Sequence, residues 1–163
     1  MAFLIKVWYN INIYHYIWRI YTMAIKMRIL HASGKKKIVN IANAIKEKYE
    51  LAFNSVDAIP PAYSCDKERI VILAISAKGD VSDAVRLFCR ELTKARAQNV
   101  ALMIDGDSKA ADRLKEILGE AGTNVIDEVL FVKGGLPIIG GSIKPEEKTE
   151  IFAWVDRVIE NLK

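Results

Sequence analysis

From Met27 onward, short apolar runs alternate with segments in which apolar residues recur every three or four positions. Met27-Arg-Ile-Leu-His-Ala32 reads as a strand closing at Ser33-Gly34, and Ile38, Ile41, Ala42 and Ile45 then define one buried helical face with lysines opposite. A second, weaker strand is expected near Leu51–Val56. The stretch from Asp57 to Asp66 contains Pro60-Pro61, which disfavours a helix and favours a loop. Ile70-Val-Ile-Leu-Ala-Ile75 is apolar at successive positions, as a parallel strand covered on both faces requires. Asp80 is a candidate cap for a helix with Val81, Val85, Phe88 and Leu92 inward. A strand follows at Asn99–Ile104, then Asp105-Gly106-Asp107, then a helix over Ser108–Leu118 bracketed by Gly119 and Gly122. The last strand is expected at Glu128–Val132. Pro145 suits the first turn of a closing helix with Ile151, Trp154, Val155, Val158 and Leu162 inward.

Strand and helix therefore alternate, with a loop in place of the helix before the third strand. Right-handed crossovers turn that order into a three-layer α/β domain over 27–163, a doubly wound five-stranded parallel sheet of strand order 2-1-3-4-5. Ligands of such sheets bind beyond the carboxyl ends of the strands, where the strand order reverses. That rule nominates three loops: Ser33-Gly34-Lys35-Lys36-Lys37, Ser76-Ala77-Lys78-Gly79 and Asp105-Gly106-Asp107.

Residues 1–26 differ from the rest. They hold four of the six tyrosines and two of the three tryptophans, with Lys6, Arg19 and Lys26 but no acidic residue. Lys6, Asn10, Asn12, His15 and Arg19 interrupt every window long enough to span a bilayer, so stable membrane insertion is not expected. Three readings stand: translated upstream sequence with Met23 or Met27 as the start, an extra ordered element, or an interfacial aromatic anchor. Removing those three cations from Lys+Arg 24 leaves 21 against Asp+Glu 20, so the remainder is about +1. A near-neutral body offers no electrostatic footprint for nucleic acid. Cys65 and Cys89 form no redox or zinc spacing, which fits reduced thiols and a cytoplasmic setting.

The first loop combines a Gly-bearing turn with three lysines at a helix start. Cations there oppose the helix dipole by about 0.3–1 kcal/mol each, so either a bound phosphate offsets them or they point into water. The glycine spacings of the Walker and dinucleotide loops are missing. Ser76–Gly79 offers a hydroxyl, amides and one cation, or else an ordinary turn. Asp105–Asp107 supplies a helix cap, or two weak metal ligands. An acidic pair after the first strand and an aspartate after the third would mark a phosphoacceptor domain, but His31-Ala32 and Ser76 stand there. His31 has no carboxylate or nucleophile placed beside it by sequence.

The first strand, the Ser33-Gly34 turn and the helix Lys36-Lys-Ile-Val-Asn-Ile-Ala-Asn-Ala-Ile45 resemble the opening of flavodoxins. The strand ending at Ser76, and Val129-Leu-Phe-Val-Lys-Gly-Gly-Leu-Pro137 before the closing helix, are also similar to members of that superfamily. The resemblance implies non-covalent FMN, with phosphate on Ser33, Gly34 and Lys35, Lys36 and Lys37. The ring would then be flanked by Ser76, Ala77, Lys78, Gly79 and by Asp105, Gly106, Asp107. It implies electron transfer or small flavin-reductase chemistry, with a redox partner protein or a small-molecule substrate and no side chain acting as a catalyst. The sequence departs from the family in two respects. Neither ring loop carries an aromatic residue, Tyr63 in the proline loop being the nearest candidate, and the first loop has lysines in place of hydroxyls. A flavodoxin-fold module that has lost flavin and binds another phosphorylated ligand or a protein partner is the alternative.

Overall fold

Three parallel strands form the centre of the sheet, with buried apolar side chains on both faces. The computed structural model describes residues 25–136 and 140–163, so the expectations for residues 1–24 and for Pro137 lie outside it. The first strand, β1 (Met27–Ala32), lies beside β3 (Glu68–Ala77), which lies beside β4 (Ala97–Gly106), all parallel. A short β2 (Val56–Ala58) flanks β1 on the outside, and the far edge is formed by β5 (Asn124–Val125) and β6 (Leu130–Phe131). The order β2-β1-β3-β4-β5 is the flavodoxin-like α/β arrangement, with the reversal between β1 and β3.

Side chains alternate across the pleat and supply two cores. Met27, Ile29, Ile70, Ile72, Ala74, Ala101 and Met103 face α1 (Lys36–Lys48) and α4 (Pro145–Glu160). Leu30, Val71, Leu73, Ile75, Val100, Leu102 and Ile104 face α2 (Asp83–Glu91) and α3 (Ser108–Glu120). The expected inward residues of α1 (Ile38, Ile41, Ala42 and Ile45) are all buried, as are Ile151, Trp154, Val155 and Val158 of α4. The loop after β2 fills the place of the missing helix and contributes Cys65 to the second core. Both cysteines are free and buried, and burial pushes the Cys89 thiol up to about 12.

β3 and β4 run two residues longer at each end than the apolar runs, and three further departures from the sequence reading have local causes. The second strand begins at Val56 rather than Leu51, because the C-terminus of α1 extends past Lys48 in irregular turns. Glu50 takes φ 50°, Leu51 N–H closes onto Lys46 C=O, and Ser55 Oγ donates to Ala52 C=O at 2.7 Å. Only from Val56 is the chain extended. The cap of α2 is Ser82, whose oxygen accepts from Val85 N–H, whereas Asp80 accepts from Val81 N–H and pairs with Arg86 at 2.9 Å.

The last strand is split. Asn124–Val125 pairs with Asn99 and Val100, and Leu130–Phe131 with Met103 and Ile104. Three steps along β4, Val100 to Met103, thus face five along the edge, Val125 to Leu130, which is a two-residue bulge. The bulge is held from α4. Trp154 Nε1 donates to Glu128 C=O at 3.4 Å, and Arg157 forks onto the Glu128 carboxylate at 2.6 Å. Asp127 and Glu128 stay out of the ladder while Ile126 turns into the core.

Trp154 therefore fills the first core and anchors the bulge together. Trp154→Ala is expected to lower unfolding free energy by about 3–5 kcal/mol in urea titration. Leu87→Ala, on the exposed face of α2, is expected to change it by less than about 0.5 kcal/mol.

Candidate functional site

Strand register brings three of the nominated residues into one row. Ala32 partners Ile75, so Ser33 follows beside Ser76, and Ser76 partners Asp105 directly. The side chains then bond across the row. Ser76 Oγ donates to Asp105 Oδ2 at 2.8 Å, which leaves the Ser33 hydroxyl to donate to Ser76 Oγ at 2.6 Å. The Lys35 backbone N–H returns to Ser33 Oγ at 3.1 Å, and Lys35 Nζ lies 2.6 Å from Asp105 Oδ2. The first, second and third loops are thus linked by a closed circuit of hydrogen bonds.

Asp105 is the hub. Burial alone would raise its pKa, but Lys35, the Gly134 N–H at 2.9 Å and Ser76 together outweigh that and hold the carboxyl below the usual range. The approach of Gly134 is close. A Cβ there would strike Asp105 Oδ2 and lie 2.6 Å from Lys35 Cδ, so a larger residue would have to displace the pair.

Asp107 performs the other closure. It caps α3 by accepting from Ala110 N–H at 3.0 Å, as expected, and both its oxygens accept from Gly79 N–H at 2.9 and 3.0 Å. Those bonds hold its pKa below the usual range. Gly106 lies against Ala77, whose carbonyl oxygen a Cβ would overlap. The second and third loops are therefore in direct contact along their length.

The lysines separate into two kinds. Lys35 pairs with Asp105, and Lys37 pairs with Glu147 at 2.7 Å in the first turn of α4. Two carboxylates of the chain itself offset the cations that the sequence left to a phosphate or to water. Lys36 and Lys78 are exposed, as are Lys109 and Lys133 nearby, and none of these four ammonium groups makes an ion pair or hydrogen bond among the described residues. The α1 N-cap is Lys35, which makes no side-chain bond to the first turn.

Three contributors escaped the sequence reading: Gly134, Glu147 and Gly141, whose carbonyl accepts from Asn40 Nδ2 on α1 at 2.6 Å. The one signal for this segment was its paired glycines, Gly134-Gly135 and Gly140-Gly141, which let backbone pass close to α1. Tyr63 does not approach the row. Its ring is exposed and lines a cavity at the opposite end of the sheet, beside Lys26 and Glu68. His31 is half-buried at the end of β1. Burial lowers its pKa, and the charge of Asp57 opposes that shift. Among the described residues no group of three His, Cys, Asp or Glu side chains is arranged to hold a metal ion, and no helix is long and apolar enough to cross a membrane.

No protein-family model matches the chain, and no curated protein matches it.

The circuit predicts a specific acid sensitivity. Because the Asp105 pKa is depressed on folding, its contribution is present above the unfolded carboxylate value and is lost as pH falls through the folded one. Asp105→Asn should be less stable than the parent at neutral pH, and the gap should close on acidification. Urea melts of both proteins, taken from neutral pH down through the carboxylate range, measure this, and a gap independent of pH would rule it out.

Proposed function

We propose that this chain is a flavodoxin-fold module that works without flavin and binds a phosphorylated ligand at the carboxyl-end face of its sheet. The observation that carries this reading is the bond between Gly79 N–H and Asp107. A flavin ring lying between the second and third loops would have to part them. That would break this bond and disturb the cap of α3, which is worth about 0.5–2 kcal/mol in such positions.

Charge supports an anionic ligand. The acids of the three loops are engaged within the fold, while Lys36, Lys78, Lys109 and Lys133 are left around the strand ends. The first amides of α1 lack a side-chain cap, and a helix start of that kind accommodates phosphate.

An FMN-dependent electron carrier or small reductase is the second reading. It is favoured by the strand order and by the Ser33 and Ser76 hydroxyls standing side by side at the reversal point. In that case the flavin would supply the redox chemistry and the chain its position. One fold hosts many functions, so the site has to decide.

The deciding experiment is an absorbance spectrum of the purified protein, followed by FMN titration with riboflavin as control and by inorganic phosphate titration followed in amide NMR spectra. The flavin-free reading expects a colourless protein, no FMN binding at high micromolar concentration, and phosphate shifts confined to the amides of Lys36 and Lys37 and the neighbouring loops. A yellow protein, or tight FMN binding with weak riboflavin binding, would overturn it in favour of the redox reading.

A further inference from the structure

The amino-terminal end of the sheet lies opposite the three loops, and the chain enters β1 there. Ile25 and Lys26 line a cavity of about 450 Å³ at this end, together with Ala52, Asn54 and Tyr63. Two aromatic side chains stand in water on its rim. Phe53, between Ala52 and Asn54, is 93 % exposed, and Tyr63 is 68 % exposed. A cation meets the Phe53 ring. Lys46 Nζ lies 4.9 Å from the ring centroid and donates to Phe53 C=O at 2.9 Å. A single exposed apolar residue needs no explanation. Here two aromatics flank the point at which an aromatic-rich segment joins the fold.

Residues 1–24 carry Trp8, Trp18 and four tyrosines, with Lys6 and Arg19 and no acidic residue. Trp and Tyr favour the headgroup layer of a bilayer, where a ring can be apolar on its face and wet at its tip. Asn10, Asn12 and His15 lie among these rings. They bar a spanning segment, yet the hydrated headgroup layer accommodates them. A dry protein groove would have to pair each of them separately. The folded rim is close to electrical balance: Lys26 faces the buried Glu68 at 3.7 Å, and exposed Lys67 lies between Asp66 and Glu68, with Glu50 nearby. The sign of the whole surface is therefore set by Lys6 and Arg19.

We infer that residues 1–24 and the rim carrying Phe53 and Tyr63 form one surface that adsorbs to an anionic lipid bilayer. The rings enter the headgroup layer, and Lys6 and Arg19 meet the lipid anions. The segment lies on the membrane and does not cross it. This surface is at the opposite end of the sheet from the three loops and does not rest on the phosphate reading.

The test uses the full 163-residue chain with vesicles of phosphatidylcholine alone, and of phosphatidylcholine with about one-third phosphatidylserine. Trp154 is fully buried, so a lipid-dependent change in tryptophan emission reports on Trp8 and Trp18. Anionic vesicles should shift the emission to the blue, and brominated lipid should quench it. Neutral vesicles should bind about tenfold more weakly. The double variant Lys6→Glu, Arg19→Glu should remove that preference. Phe53→Ala, at an exposed position, should keep the amide spectrum and weaken binding by about threefold or more. No blue shift at millimolar anionic lipid would overturn the inference, as would Phe53→Ala binding like the parent. Emission already blue without lipid would overturn it too. In an oligomer that result would assign the segment to a second copy, and in a monomer to the chain's own fold.

Discussion

The parallel register of β1, β3 and β4 is the constraint on which the rest depends. These strands are buried on both faces, so a slip by one residue would exchange the two cores and expose neither set acceptably. Once the apolar runs are in register, the residues that end them are in register as well. Ser33, Ser76 and Asp105 are neighbours because Ile29, Ile72 and Ala101 are neighbours four residues earlier, and the register holds to the end, where Ala32 partners Ile75 and Ser76 partners Asp105. Burial of the core thus places polar groups at the strand ends at no separate cost in ordering. Asp105 then draws in Lys35 and the Gly134 amide, which brings the first loop and the glycine segment down onto the sheet.

Much of the fold was legible because periodicity records burial directly. Ile38, Ile41, Ala42 and Ile45 could be assigned to one face from spacing alone, and the two-faced burial of Ile70–Ile75 followed from the absence of polar alternation. The failures have local causes. Leu51 looked like a strand residue because it is apolar, yet it belongs to the turn that terminates α1. Glu128–Val132 looked continuous because the sequence does not record Trp154 and Arg157 reaching across from α4 to hold Glu128 out of the ladder. Asp80 and Ser82 are both good caps, and only the geometry chooses between them.

The meeting of the three loops was legible, whereas the partners of their side chains were not. All three nominated loops meet at the strand ends, as topology requires. The pairing of Lys35 with Asp105 and of Lys37 with Glu147 joins residues 70 and 110 positions apart, and no local pattern encodes such a choice. A run of three lysines viewed alone suggests an absent anion. Within the folded chain two of them already face carboxylates, and the contrast between Lys36 and its neighbours emerges only then. Arg28 is the converse case: a charged residue in an apolar strand, which reads as noise until the loop after β2 is seen to close over it.

The interrupted far edge bears on how this sheet meets other chains. An exposed, regular edge strand is a template on which a foreign strand can add through backbone hydrogen bonds, the route to aggregation and to recognition by strand addition. Here one edge is only three residues long and the opposite edge is broken by its bulge. Among the described residues, neither edge presents a run of free amides and carbonyls long enough to template growth. The described sheet therefore offers little purchase for edge-to-edge addition of a foreign strand.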